Sequence, residues 1–208
     1  MINVQITNDG HSCETNCLKR ILGYEIKATV GNTLLIDQCC GFVNFVADYI
    51  TTGVRINRGE MLKYGYWLTK IDYDDQNRMI FLEYNPEGTE YIFGLDNTLL
   101  YWKEQHEICA KVNADFLPPR PDQLIVISDG VFEGDFVEGV RYPSPDHMSG
   151  WWFTTDKYDG NIKTLKTVHA HHISAKRPDL VKFFSLPFGY RFFSCESEVW
   201  FDAKVAPQ

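Results

Sequence analysis

Three observations predict an α+β fold built from two parts, each a small, mostly antiparallel sheet packed with helices. The first is composition: 44% of the 208 residues are apolar, 14% aromatic and 23% charged, enough apolar surface to bury a core. The second is that short β-branched and aromatic runs bounded by turn residues alternate with apolar spacings of helical period. The third is Leu117-Pro118-Pro119-Arg120-Pro121, where the prolines remove backbone donors and forbid helix continuation. This segment predicts an amino-terminal α+β domain over 1–117 and a second α+β domain over 122–208.

In the first part, residues 13–22 read as a short helix ended by Gly23, 33–36 as a strand, and 41–49 (GFVNFVADY) as a helix. Residues 66–73 (YWLTKIDY) and 78–84 (RMIFLEY) flank the polar turn Asp74-Asp75-Gln76-Asn77, which predicts a hairpin with a third strand at 91–93. Asp96-Asn97 can cap a helix running to about Asn113, with Leu99, Leu100, Trp102, Ile108 and Val112 as its apolar stripe.

Beyond the prolines, 124–128 (LIVIS), 136–142 (FVEGVRY) and 151–155 (WWFTT) read as strands. Residues 161–175 have helical propensity, and Arg177-Pro178-Asp179 opens a further helix with Leu180, Phe183 and Phe184 inward. Strands at 190–194 and 198–202 close the part.

The opening MINVQITNDGHS lacks a basic stretch followed by an apolar one, and no apolar run reaches the ~20 residues of a membrane span, so a cytoplasmic location is expected. Six irregularly spaced cysteines lie in a chain large enough to have its own core, so a disulfide framework is not required and reduced thiols are expected. The net charge of −8 argues against nucleic acid or an anionic membrane as partner, because both reward clustered Lys and Arg. Residues 1–119 carry 10 basic and 16 acidic side chains, residues 120–208 carry 10 and 12. Such a field steers a partner protein with a basic surface, and it also serves solubility alone.

No GxSxG elbow, GxGxxG turn or GxxxxGK[ST] loop occurs, so no catalytic residue is assigned and no cofactor is expected. His169 and His172, at i and i+3 on a predicted helix, can share a metal, but HExxH spacing is missing and a plain surface or packing role is preferred. Cys13-x-x-x-Cys17, Cys39-Cys40 and His11 form only a weak ligand pattern, so no metal is assigned. Asp156 and Asp159 flank Tyr158 and can be read as an acid/base pair, though a capping turn explains them more simply. In Trp151-Trp152-Phe153 neighbouring side chains point to opposite faces, so Trp151 and Phe153 share one face and Trp152 takes the other.

Five segments in order carry a family resemblance: LIVIS (124–128), SGWWFTTD (149–156), HAHHISAKRP (169–178), LPFGYRF (186–192) and VWFD (199–202). Over about residues 122–205 the chain resembles a family of bacterial immunity proteins, long described as a domain of unknown function. The resemblance implies a protein encoded beside polymorphic toxins, including type VI secretion effectors, that protects its producer by binding the toxin. It brings no catalytic motif with it. Gly150, Pro187, Gly189 and Trp200 read as residues that keep the fold, so specificity is expected in exposed loops. The partner-binding candidates are Glu133, Asp135, Glu138, Asp146, Asp156 and Asp159, with Trp152 and Tyr158 as aromatic anchors. The rival readings are a hydrolase that reverses toxin damage and a regulatory module with no toxin partner.

Overall fold

The structure, a computed structural model, describes residues 5–206. It is α+β, with mostly antiparallel sheets. The chain divides into two compact units: the first runs to Asn85 and resumes over Thr89–Lys103, and the second comprises Pro86–Gly88 and everything from Glu104.

In the first unit, β1 (Ile6–Asn8), β2 (Ser12–Thr15) and, after the one-turn helix α1 (Lys19–Leu22), β3 (Lys27–Thr29) form an antiparallel sheet. The predicted helix over 13–22 is therefore corrected to a central strand and a single helical turn. Residues 12–15 pair on both edges, and that ladder outweighs a local helical spacing. The predicted strand at 33–36 is also corrected. Asn32 accepts the Leu34 amide at 3.1 Å and starts a 3-10 turn (Thr33–Leu35) that leads into α2 (Ile36–Thr51).

Cys39, Phe42, Val43, Val46, Ala47 and Ile50 recur at helical spacing along α2 and are all buried. Phe42 meets Tyr64 and Phe81 edge-on at 5.0 and 4.8 Å. Cys40 lies across from β2 and is joined to Cys13 by a disulfide, with Cα atoms 5.3 Å apart. This corrects the expectation of reduced thiols for Cys13 and Cys40, because residues 27 positions apart become neighbours only once α2 packs on β2, while Cys17, Cys39, Cys109 and Cys195 are not disulfide-bonded. Cys39 is buried beside this pair, and desolvation pushes its thiol up to about 11.

A four-stranded meander follows: β4 (Met61–Tyr64), β5 (Trp67–Tyr73), β6 (Met79–Tyr84) and β7 (Tyr91–Phe93). The hairpin turn is the one expected, with the Asp74 carboxylate accepting the amides of Gln76 and Arg78 at 3.0 and 2.9 Å. Helix α3 (Asp96–Lys111) comes next. Its first amides are not capped by Asp96, whose carboxylate instead accepts the amides of Gly31 and Asn32 at 2.9 and 2.8 Å.

Glu83 of β6 caps α3. Its carboxylate accepts the Asn97 and Thr98 amides at 2.8 and 2.7 Å, and also Asn97 Nδ2 and Thr98 Oγ1. Burial pushes this carboxyl up to about 7, against the pull of those four donors. The folded-state value lies above the ordinary 4.5, so the neutral form is favoured in the fold and Glu83's contribution to stability is full below pH 4.5 and lost as pH rises to 7. Urea midpoints measured between pH 4.5 and 7.5 are expected to fall across this window. In Glu83→Gln the slope should flatten at a lower plateau, because the amide nitrogen meets donors; an unchanged slope would assign the window to another group.

In the second unit the sheet order is β11-β8-β10-β9-β12-β13. The strands are β8 (Leu124–Ile127), β9 (Glu138–Arg141), β10 (Met148–Thr154), β11 (Lys166–His169), β12 (Tyr190–Phe193) and β13 (Glu198–Phe201). Among the described strands of this sheet only β8 and β10 run parallel. The predicted helix over 161–175 is corrected to three pieces: a 3-10 turn (Ile162–Thr164), β11, and α4 (Ala170–Lys176). Lys166 to His169 pair antiparallel with Ile127 to Leu124, so an open sheet edge captures a stretch of helical propensity. The helix expected after Pro178 is a 3-10 segment (Pro178–Phe183).

Trp151, Phe153 and Phe192 converge on the inner face of the sheet, where Phe183 stacks on Phe192 at 4.0 Å. Gly139 lies beneath the Phe192 ring, and a Cβ there would collide with it. Gly150 has φ +84° and packs against the Tyr142 carbonyl, so its predicted structural role holds. Arg141 is buried on the same inner face, 3% exposed, and among the described residues no carboxylate pairs with it. It donates instead to four backbone carbonyls: Ser149 from Nε at 2.9 Å, and Leu117, Phe184 and Leu186 from Nη1 at 2.7, 3.0 and 2.5 Å. Its guanidinium also lies over Phe188, 5.0 Å from the ring centre.

Candidate interaction surface

The strands that present the candidate residues place them unequally. The connection after β8 and the one after β10 leave from the same end of the sheet, because these two strands are parallel. The two connections are fastened together: Thr155 donates its amide to Ser128 Oγ at 3.0 Å and its hydroxyl to the Asp129 carbonyl at 2.6 Å. Arg177, nearly buried, donates to the carbonyls of Val131 and Asp135 at 2.6 and 3.0 Å and pairs with Asp179. The loop over 129–137 is thereby held to a fixed path.

Glu133, Asp135, Asp156, Tyr158 and Asp159 are all carried by these two connections. Glu133, Asp156 and Asp159 are exposed, whereas Asp135 and Tyr158 are half-buried. Asp135 pairs with Lys157 at 2.7 Å and Asp129 with Lys166 at 2.8 Å. The hydrogen bond and charge of Asp129 raise the Lys166 ammonium above its usual range, as Asp135 does for Lys157. Asp159 accepts the Asn161 amide at 2.9 Å, the turn-forming role that explains it most simply. Five carboxylates and two lysines share the two connections, and Lys166 at the start of β11 adds a third cation beside them, so the local surplus of negative charge is small and specificity needs more than steering.

Glu138 opens β9 opposite Thr154, at this same end, and pairs with Arg191 at 2.7 Å. Trp152 lies on the outer face, opposite Trp151 and Phe153, half-buried against Tyr142 at 5.8 Å. Asp146 is set apart. It precedes β10, at the far end of a strand whose seven residues span roughly 20 Å. Its side chain is 89% exposed and pairs with Arg120 at 3.0 Å, an exposed contact of little energetic weight.

One residue missing from the predicted set is Phe136. The sequence places it in a strand, but β9 begins only at Glu138, and Phe136 stands 62% exposed beside the acidic connection, its ring 6.3 Å from Phe193. Its position directly after Glu133-Gly134-Asp135 is the only sequence signal, and alternation alone cannot separate the last loop residue from the first strand residue.

The three histidines also converge. His169 ends β11 and is the residue before α4, while His171 and His172 lie in its first turn. They therefore do not share a helix face as i and i+3, but a strand-to-helix corner. Partial burial, then the neighbouring His171, His169 and Lys176, lowers the His172 pKa.

A sequence-family comparison adds to this geometry. The Imm33-like domain matches residues 104–202. That span is just under half of the chain, and it supports an immunity-type, protein-binding domain. The Imm33-like match starts at Glu104, within α3, ahead of the 122–205 stretch that carries the resemblance in the sequence. In the structure Gln105 of this stretch donates to the Val181 carbonyl at 3.0 Å and accepts the Ser185 hydroxyl at 2.6 Å, both buried. No curated protein and no solved structure matches the chain. No helix among the described residues is long and apolar enough to cross a membrane.

Proposed function

We propose that the protein is an immunity protein that neutralises a secreted bacterial toxin by stoichiometric occlusion, without catalysis, in the cytoplasm of the producing cell. The Imm33-like match over the second unit carries this reading. The partner is a toxin with a basic surface, of the polymorphic or type VI secretion class. Glu133, Asp135, Glu138, Asp156 and Asp159 supply the acidic face, with Trp152, Tyr158 and Phe136 as the aromatic contacts. Asp146, at the other end of β10, belongs to the rim of such an interface or outside it. A standard interface buries ~1,600 Å² in total, more than one loop supplies, so both connections are engaged.

The test is co-expression of a toxin encoded beside this chain, with and without it, followed by recovery of the tagged pair. Rescue of growth and a one-to-one complex are expected. Growth arrest despite expression, with no complex recovered, overturns the proposal. Protection at far less than one equivalent per toxin would favour the hydrolase. Charge reversal at Asp135 and Asp156 is expected to slow association roughly tenfold at low salt and less at high salt. An association rate that ignores both changes removes the electrostatic part alone.

A further inference from the structure

We propose that His169, His171 and His172 form a binding site for a divalent transition-metal ion of the zinc class, a property that neither the immunity reading nor the family match contains. One ring nitrogen of each histidine lies within 4.8 Å of the others, although the three come from two different elements. Zn–N bonds of about 2.1 Å in tetrahedral geometry place such nitrogens roughly 3.4 Å apart. The contraction required is a little over an ångström and falls on side chains at the surface, His169 and His172 being exposed and His171 half-buried.

A second observation points the same way. Nδ1 of His171 lies 3.1 Å from the Pro121 carbonyl, which also accepts the His171 amide at 3.1 Å. A carbonyl can only accept, so Nδ1 carries the proton and Nε2 keeps its lone pair for a ligand. This is the outer contact by which metal-bound imidazoles are commonly oriented. Pro121 is fixed by the turn in which Gln123 accepts the Arg120 amide at 2.8 Å, so the carbonyl is anchored on its own side.

The donor set also defines the ion. Three neutral nitrogen ligands with no carboxylate in the cluster suit Zn²⁺, Ni²⁺ or Cu²⁺ and disfavour Mg²⁺ or Ca²⁺, which require oxygen. Three protein ligands leave the fourth tetrahedral position open for water or for a side chain of another protein.

Calorimetric titration of Zn²⁺ into the chelator-stripped full chain is expected to show one ion bound per chain. His169→Ala and His172→Ala should each weaken binding at least about tenfold, and the double variant should lose it, with circular dichroism and melting unchanged because both side chains are exposed. No stoichiometric binding by the wild type, or an undiminished stoichiometry in the double variant, overturns the proposal. Substitution with Co²⁺ provides a readout that needs no variant. Visible d–d absorption without thiolate charge transfer is expected, and a thiolate band would move the ion to cysteine and refute the histidine site.

Discussion

Arg141→Met is expected to destabilise the second unit by about 3–5 kcal/mol in urea unfolding. The side chains are similar in length, so the loss is not one of volume. The guanidinium gathers the carbonyls of Leu117, Ser149, Phe184 and Leu186, and methionine leaves all four without that donor. Phe184 also accepts the Trp151 indole at 3.0 Å and keeps that bond, so the penalty should fall mainly on the other three. Burial lowers the Arg141 pKa, yet four converging carbonyl dipoles replace water around the cation and hold it charged. Arg141→Lys should recover only part of the loss, because a single ammonium cannot reproduce the planar fork. A change below about 1 kcal/mol for Arg141→Met would show that water replaces the guanidinium and that these bonds contribute little net stability.

The second large effect concerns binding. If the connections after β8 and β10 face the toxin, Phe136→Ala should weaken the complex by about 2 kcal/mol, or roughly 30-fold in Kd, while leaving the melting temperature of the isolated protein nearly unchanged. The separation of the two readouts follows from the 62% exposure of Phe136, which contributes little to the folded core. Trp152→Ala should weaken binding comparably but also lower stability, since its ring packs on Tyr142. Equal affinity in both variants, measured by titration calorimetry, would move the interface off this end of the sheet.

Much of the architecture was legible because it rests on local pattern. The hairpin about Asp74–Asn77 reads correctly since its strands alternate buried and half-buried residues and its turn bonds to itself. The opposite facing of Trp151 and Trp152 needs only the two-residue period of a strand. Other stretches have a local preference that yields to a neighbour. Residues 12–15 and 166–169 carry no strong strand signal, and each is drawn into a sheet by an edge that lies elsewhere in the chain. The capping of α3 shows the same limit, since Asp96 has the right chemistry and position, but a buried glutamate from β6 takes the amides.

The candidate surface divides in the same way. Sequence identified acidic loops and an outward tryptophan, because loop composition and strand alternation are local properties. It could not show that the connections carrying Asp135 and Asp156 leave from one end of the sheet, nor that Phe136 stands exposed beside Asp135, since the first depends on the parallel pairing of β8 and β10 and the second on β9 pairing only from Glu138.

By itself, the sequence determined the fold class, the absence of a recognisable catalytic loop, and the ordered segments that resemble an immunity domain. Only the tertiary structure decided that Cys13 meets Cys40, that Arg141 is housed among carbonyls, and that His169 joins His171 and His172. The physical reason is common to all three: a side chain's chemistry is written at its own position, but its partners are selected by the burial of apolar surface over the whole unit, which local spacing does not record.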